Sequence, residues 1–156
     1  MEKITINVDV SQYKNETELN QEDQKVLEAS LKAAKNAYAP YSGFFVGAAV
    51  LLENGEIVTG TNQENAAYPS GLCAERVAIF YANSKYPDVA LKTIAICAYH
   101  NGQFTKSPTP PCGSCRQVMI EAETRFEKPI KVIMYGQDKI LVVDNIKSLL
   151  PIAFSF

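Results

Sequence analysis

The sequence lacks an excess of basic residues, a long hydrophobic run and a second histidine. Its 15 Lys and Arg residues are outnumbered by 17 Asp and Glu residues, and the net charge is −2. Such a balance offers no positive field to a nucleic-acid backbone, so we expect no nucleic-acid partner. No stretch approaches the roughly 18 apolar residues of a membrane span, and no signal peptide is visible. We therefore predict a cytoplasmic protein that acts on a small molecule.

The four cysteines do not suggest disulfides. In a chain without a visible secretion signal, cysteines indicate metal or catalytic sites sooner than disulfide bridges. Cys97 is the exception, because it lies in the apolar run 94–99, where a free thiol behaves as a small core residue.

The other cysteines, Cys73, Cys112 and Cys115, could hold a zinc ion. A Cys-x-x-Cys pair bends easily around one ion, and catalytic zinc uses three protein ligands and leaves one position for water. Glu75 lies two residues beyond the first thiol and could face the open position without binding the metal. A structural zinc ion would need a fourth protein ligand, but the single histidine, His100, lies at a predicted Asn-Gly turn. The pattern therefore favours a catalytic zinc, with a structural zinc as the alternative.

Strands alternate with helices along most of the chain, which is typical of an α/β protein. With 156 residues, we expect a single domain over residues 1–156, in which residues 1–18 are an N-terminal strand and loop extension. Alternating apolar residues and turn signals predict strands over residues 3–10, 45–52, 56–62, 92–99, 130–135 and 139–143. Helical spacing and capping residues predict helices over residues 20–38, 73–84, 113–126 and 145–150.

Four separated motifs resemble those of the cytidine deaminases, in particular the small homotetrameric type with three zinc-binding cysteines. They lie at residues 44–49, 62–69, 149–151 and, for the thiols, 73–76 together with 111–117. The resemblance implies a three-layer α/β/α fold with a five-stranded mixed sheet and Zn²⁺ as the cofactor. It also implies hydrolytic deamination of cytidine and deoxycytidine to uridine and deoxyuridine with release of ammonia, as in pyrimidine salvage. The family further implies a homotetramer with active sites shared between subunits.

The resemblance assigns roles to the residues around the thiols. Glu75 would carry a proton from the zinc-activated water to ring N3 and a second proton to the leaving ammonia. Arg76, one helical turn after Cys73, would donate hydrogen bonds to the sulfurs. Arg116 and Gln117 follow the last thiol and are interpreted as structural supports.

Substrate-binding residues are expected ahead of the first thiol. Asn62 and Glu64 are separated by one residue, so on an extended segment their side chains point the same way and could hold a hydroxyl group. In the resembling family, the matching positions hold the ribose 3′-hydroxyl. Phe44 matches the aromatic residue that packs against the base, and Ala74 would offer backbone groups to the pyrimidine.

Two further residues are expected at contacts between subunits. Tyr68 lies in the loop that the family uses at subunit contacts around the site. Phe154 matches the aromatic residue that reaches a neighbour's active site and closes over the base, although the apolar tail could equally pack in its own core. Phe156 would lie near the same rim.

Other functions stay open from the sequence. The protein could deaminate a modified cytosine nucleoside, or it could edit a polynucleotide, although an editor would more often have His in place of Cys73 and a basic groove. It could also be a zinc-stabilised module that binds nucleosides without converting them. The presence of Glu75 argues against that last hypothesis.

Overall fold

The computed structural model describes residues 1–155. Seven strands form one sheet, and three helices pack on this sheet. The strands are β1 (Ser11–Tyr13), β2 (Phe45–Leu52), β3 (Ile57–Thr61), β4 (Leu91–His100), β5 (Gln103–Phe104), β6 (Lys131–Tyr135) and β7 (Ile140–Val143). The helices are α1 (Gln21–Ala34), α2 (Ala74–Lys85) and α3 (Gly113–Phe126). Short 3₁₀ helices lie at Glu16–Glu18, Tyr68–Ser70 and Ile146–Ser148.

The sheet is mixed. Its strands lie in the order β1-β7-β6-β4-β2-β3, and the short β5 pairs with β4. Strands β4 and β6 run parallel, whereas the other pairs are antiparallel. The longer strands β3, β2, β4, β6 and β7 make up the predicted five-stranded sheet, to which β1 and β5 add two short strands. The predicted α/β class with a mixed sheet is confirmed.

Helices cover both faces of this sheet. On one face, α1 packs through Val26 and Leu27 against strand residues such as Ala49. On the opposite face, α2 and α3 pack through residues such as Ile79 and Met119, which are fully buried. The order of layers is therefore helix, sheet, helix. None of the helices within residues 1–155 is both long and apolar enough to cross a membrane.

Two glycines let the helices approach the strands closely. A Cβ atom on Gly47 of β2 would lie 2.2 Å from the carbonyl oxygen of Ser30 in α1. A Cβ atom on Gly60 of β3 would lie 2.5 Å from both the Ala74 carbonyl oxygen and the Ala78 nitrogen of α2. The sequence indicated close packing at Gly47 but not at Gly60. Gly60 sets the distance between β3 and the first turn of α2.

The strand predicted over residues 3–10 is absent, and this prediction was wrong. The strand β1 lies instead in the next segment, which was predicted to be a loop. It pairs antiparallel with β7, with Ser11 opposite Val142. Because β7 ends at Val143, which lies opposite Val10 in this register, the residues before Val10 extend past the end of their neighbouring strand. No strand within residues 1–155 lies beside them to hold them in a sheet.

Helix α1 is shorter than the predicted helix over residues 20–38. Its start agrees, because the Asn20 side chain accepts a hydrogen bond from the Asp23 backbone N–H at 2.8 Å. It ends at Ala34, since the backbone of Tyr38 is extended and pairs with the segment that contains Asn62. The helix predicted over residues 145–150 is a single 3₁₀ turn.

Candidate active site

The three thiols that were predicted to bind zinc lie at the starts of two helices. Cys73 is the N-cap of α2, Cys112 is the N-cap of α3, and Cys115 lies in the first turn of α3. Their Sγ atoms all lie within 4.8 Å of one another. The separation is 4.0 Å between Cys73 and Cys112, and 3.5 Å between Cys112 and Cys115. Helix N-termini favour negative charge, so both helices stabilise thiolates at this point.

These distances fit a zinc ion. Two sulfurs at about 2.3 Å from one tetrahedral zinc lie about 3.8 Å apart, which falls between the two separations. All three are free thiols. Within residues 1–155, no His, Asp or Glu joins the three thiols as a fourth ligand. The donor set therefore fits a zinc with three protein ligands and an open position, which is the arrangement of catalytic sites.

Arg76 places a positive charge beside the sulfurs. Its Nη2 atom lies 3.6 Å from the Cys73 Sγ atom and donates to it, which is the contact expected from the sequence. Its Nε atom is buried and has no hydrogen-bond partner among the described residues. An unpaired buried N–H costs about 1–3 kcal/mol. Attraction between the guanidinium group and the thiolates offsets this cost.

The surroundings shift the pKa values of three acidic groups. A hydrogen bond from the Cys115 thiol, with help from Arg76, lowers the pKa of Cys73 to about 5. The same hydrogen bond raises the pKa of the donor, Cys115. Burial raises the pKa of Glu75, which is only 5% exposed. Cys73 therefore ionises more readily than an ordinary thiol, and Glu75 holds a proton more readily than an ordinary carboxyl group.

One cavity of about 610 Å³ is lined by thiols of the cluster and by most of the other predicted site residues. Its lining includes the predicted residues Phe44, Asn62, Glu64, Tyr68, Cys73, Ala74, Glu75, Arg76 and Cys112. Cys115 is buried beside it and contacts Cys112. The structure therefore brings together residues from separate motifs that span almost 70 positions.

Glu64 is fixed in the cavity wall by three hydrogen bonds. One carboxylate oxygen accepts from the backbone N–H groups of Tyr41 and Ser42, at 2.8 and 3.3 Å, and the other accepts from the Ser42 hydroxyl. These bonds, the hydroxyl contact first among them, lower the pKa of Glu64. An ionised carboxylate only accepts hydrogen bonds. A ligand group that meets Glu64 must therefore be a donor, such as a hydroxyl.

Asn62 is tied to Phe44 and to the start of β2, which follows it. Its Oδ1 atom accepts from the Val46 N–H at 2.8 Å, and its Nδ2 atom donates to the Phe44 carbonyl oxygen at 2.9 Å. One amide hydrogen and one lone pair are left for a ligand. Asn62 thus positions Phe44, whose ring packs against the His100 ring with 5.8 Å between centroids.

The rim of the cavity exposes an aromatic residue and a thiol. Tyr68 is 77% exposed, and its ring meets the Tyr41 ring edge-to-face with 6.1 Å between centroids. Cys112 is also exposed. On this side, a single chain leaves the cavity in contact with solvent.

Gln117 and Phe154 lie outside the lining of this cavity. The Gln117 side chain donates to the Phe154 backbone carbonyl oxygen at 2.9 Å, and Phe154 is 67% exposed. The Arg116 guanidinium donates to the Leu149 carbonyl oxygen, also at 2.9 Å. Both residues after the last thiol therefore tie the C-terminal segment to α3, in agreement with a supporting role. The prediction for Phe156 lies outside the described residues.

Several residues of the cavity lining were not predicted from the sequence, among them Tyr41, Ser42, Thr109 and Pro110. The first pair comes shortly before the Phe44 motif, and the second pair comes directly before the Cys-x-x-Cys motif. The backbone N–H of Thr109 donates to the Tyr135 carbonyl oxygen at 3.2 Å, which fixes this loop at the end of β6. Nearness to a motif was the signal that could have identified them.

Comparison with known proteins agrees with this geometry. The family model for the cytidine and deoxycytidylate deaminase zinc-binding region matches residues 20–128. The cytidine deaminase of Halalkalibacterium halodurans is 43% identical over 100 residues, which cover 63% of this chain and 70% of that protein. The probable cytidine deaminase of Dictyostelium discoideum is 35% identical over 138 residues, or 88% of this chain and 87% of that protein.

Solved structures show the same relationship. The cytidine deaminase of Burkholderia pseudomallei superposes with a TM-score of 0.70 at 37% identity, covering 83% of this chain and 97% of that one. The cytidine deaminase of Mycobacterium tuberculosis gives a TM-score of 0.69 at 31% identity, with 88% and 100% covered. The family model spans well over half of the chain and includes all three thiols. The chain therefore belongs to the cytidine and deoxycytidylate deaminase family.

Proposed function

We propose that the protein catalyses the hydrolytic deamination of cytidine and deoxycytidine to uridine and deoxyuridine, with release of ammonia, as a step of pyrimidine salvage. Its cofactor is Zn²⁺. The observation that carries the proposal is the buried carboxyl group of Glu75, which shares one cavity with the thiol cluster without belonging to it. A zinc ion that only stabilised the fold would have no use for such a proton carrier.

The chain's own residues divide the chemistry between them. Cys73, Cys112 and Cys115 would hold the metal through their thiolates. When bound, zinc lowers the pKa of a water ligand to about 7 and so supplies a nucleophile at neutral pH. Glu75 would take up a proton from the attacking water and deliver it to ring N3 as C4 is attacked. It would then carry the proton of the C4 hydroxyl to the amino group, which leaves as ammonia. A pKa raised by burial suits a carboxyl group that is base first and acid later.

The cavity favours a nucleoside over a nucleotide. Among the described residues that line it, Arg76 is the one Lys or Arg side chain, and it is engaged with Cys73. Phosphate recognition normally uses free Arg or Lys side chains. The ionised Glu64 would also repel a phosphate group. The site therefore supports an uncharged ribose or deoxyribose.

We assign the sugar and the base to different residues of the lining. Glu64, with the remaining amide hydrogen of Asn62, would hold the 3′-hydroxyl. Phe44 would pack against the pyrimidine, and the backbone of Ala74 would hydrogen-bond to it. These assignments rest on the shared cavity and on the donor and acceptor pattern of each side chain.

The exposed aromatic residues near the cavity are evidence for an enzyme made of several subunits. We propose a homotetramer in which Tyr68 and Phe154 of one chain contribute to the site of another, since both aromatic side chains are largely exposed in a single chain. We also propose that residues 1–156 form one domain, because all three helices pack on one sheet. The free thiols of the site suit a reducing compartment, which supports a cytoplasmic location.

A substrate panel tests the function. Zinc-loaded protein is incubated separately with cytidine, deoxycytidine, cytosine, CMP and adenosine, and ammonia release is measured. We expect rapid turnover of the first two compounds alone. Equal rates with cytidine and CMP would contradict the nucleoside assignment, and equal rates with cytidine and cytosine would remove the ribose assignment. The zinc-loaded Glu75→Gln variant, prepared in the same way, controls for contaminating deaminases.

A further inference from the structure

The segment of residues 3–10, called the arm below, has the pattern of a strand without forming one. Its alternate residues are aliphatic and exposed, by 85%, 51%, 41% and 47% for Ile4, Ile6, Val8 and Val10. Strict alternation of this kind is typical of a strand with one buried face. The deaminase site makes no use of the arm. A surface outside its own chain is therefore needed to cover the aliphatic face.

The arm cannot complete a strand pair within its own chain. It continues β1, which pairs with β7 only as far as Ser11 opposite Val142. Because β7 ends at Val143, the arm runs past the end of the sheet. The strand β1 is also the outermost strand on this side, so its other edge pairs with no strand of residues 1–155. An open strand edge is a template for pairing with another chain.

We propose that the arm pairs antiparallel with the arm of a second copy of this chain, in a register centred on Asn7. In this register Ile4 faces Val10, and Ile6 faces Val8. Every aliphatic side chain of one arm then lies opposite an aliphatic side chain of the other, which is the favourable cross-strand pairing. A shift of the register by two residues leaves only three such pairs and places a polar residue opposite the fourth aliphatic one.

The polar face of the arm supports a partner of identical sequence. In the same register Lys3 faces Ser11, and Asp9 faces Thr5. No like charges are opposed, so the pairing avoids the repulsion that facing like charges cause. Each contact occurs twice about a two-fold axis, and such an interface closes after two chains. The sequence of the arm is therefore complementary to itself.

The fold anchors the arm and directs it away from the active site. An isolated two-stranded ribbon is marginally stable, but each arm continues a strand whose Tyr13 packs against the core. Tyr13 lies opposite Ile140, which in turn pairs with Tyr135. The Tyr135 carbonyl oxygen accepts a hydrogen bond from the backbone N–H of Thr109, which lines the cavity. The Tyr13 end of β1 is therefore the end nearer the cavity. The arm leaves from the opposite end of β1, at Ser11. Pairing of the arms thus joins two sheets without touching either site.

An engineered disulfide tests the register. Asn7→Cys brings two thiols opposite each other, with Cβ atoms about 4.5–5.5 Å apart, where a disulfide forms with small adjustments. Thr5→Cys is the matched control on the same face, because its two thiols would be four residues apart, or about 13 Å. After mild oxidation of the zinc-loaded full chain, we expect a covalent dimer on a non-reducing gel for Asn7→Cys. The Thr5→Cys variant and the unmodified chain should migrate as single chains.

A second set of variants tests the aliphatic face. Ile6→Asp with Val8→Asp should lower the dimer yield of Asn7→Cys about tenfold, because like charges then face each other. Ile6→Val with Val8→Ile keeps the face and should leave the yield unchanged. No Asn7→Cys dimer, or equal yields for Asn7→Cys and Thr5→Cys, would overturn the proposal. Ammonia release from cytidine, measured on the same samples, tests the proposed function separately.

Discussion

Replacing Gly60 with Ala should displace the active site as well as destabilise the fold, because α2 rests directly on this glycine. The new Cβ atom would lie 2.5 Å from backbone atoms of Ala74 and Ala78, whereas ordinary contact begins at 3.4 Å. Helix α2 must therefore move by about 1 Å, since close-packed backbone cannot yield otherwise. Overpacking of this kind costs about 1–3 kcal/mol. In a chain of this length, that lowers Tm by about 2–12 °C.

The displacement changes the site because the thiols belong to different helices. Cys73 and Glu75 move with α2, while Cys112 and Cys115 stay with α3. A misplacement of about 1 Å can lower a catalysed rate about 10²-fold. We therefore expect Gly60→Ala to lower kcat/KM for cytidine by about this factor and to weaken zinc retention.

Gly47→Ala is the matched control for this prediction. Its Cβ atom would lie 2.2 Å from the Ser30 carbonyl oxygen, so it displaces α1, which carries none of the proposed site residues. Tm should fall at least as far as in Gly60→Ala, while kcat/KM stays close to that of the unmodified chain. The assays are thermal unfolding, zinc content per chain, and kinetics well below both Tm values. Equal losses of kcat/KM in the two variants would refute the reasoning, as would full activity in a destabilised Gly60→Ala protein.

Four further outcomes follow from the site. Cys112→Ala should lose zinc by elemental analysis and have a lower Tm, because metal binding is coupled to folding; full zinc content would remove this ligand. Glu75→Gln should keep zinc and lower kcat by about 10²–10⁴-fold, so a tenth of the original turnover would contradict its role. 3′-Deoxycytidine should be a poor substrate, since Asn62 and Glu64 would lose their hydroxyl partner; a rate equal to that of cytidine would contradict this. Deleting residues 152–156 should raise KM for cytidine at unchanged zinc content and yield a smaller species by light scattering; an unchanged KM and mass would place the tail in its own core.

Long elements bounded by turn residues could be predicted from the sequence. The strand predicted over residues 45–52 and the helix predicted over residues 113–126 have these bounds in the structure. In both cases the signal is local. Asn54 and Gly55 lie just beyond the end of the strand at Leu52, and Gly55 adopts a positive φ of 86°, which suits a tight hairpin turn. Apolar periodicity together with turn residues a few positions away was sufficient to predict these bounds.

Features that depend on distant partners could not be predicted in the same way. The alternation over residues 3–10 predicted a strand that is absent from the structure, because pairing there depends on where β7 ends. The helix α1 stops before residue 38 because Tyr38 pairs with a segment more than 20 residues away. Neither partner can be identified from local spacing.

The same distinction between local and distant signals applies to the candidate site. The thiols and Glu75 could be predicted because each lies inside a short motif whose spacing carries the chemistry. The partners of Glu64 could not, because its bonds to Tyr41 and Ser42 cross more than 20 positions of sequence. The sequence therefore indicated side chains that the structure brings together in one cavity, and the structure added which groups hold them.

The zinc site depends both on its two local motifs and on the distance between the helices α2 and α3 that carry them. Cys73 is the N-cap of α2 and Glu75 lies in its first turn, so helix geometry fixes the thiol relative to the proposed proton carrier. Cys112 and Cys115 are fixed relative to each other by the first turn of α3 in the same way. Neither motif determines the distance between the two helices on the sheet. That separation depends on how closely α2 approaches β3, and only a residue without a Cβ atom at position 60 allows the observed approach. A glycine outside both motifs thus decides whether the two halves of the zinc site meet.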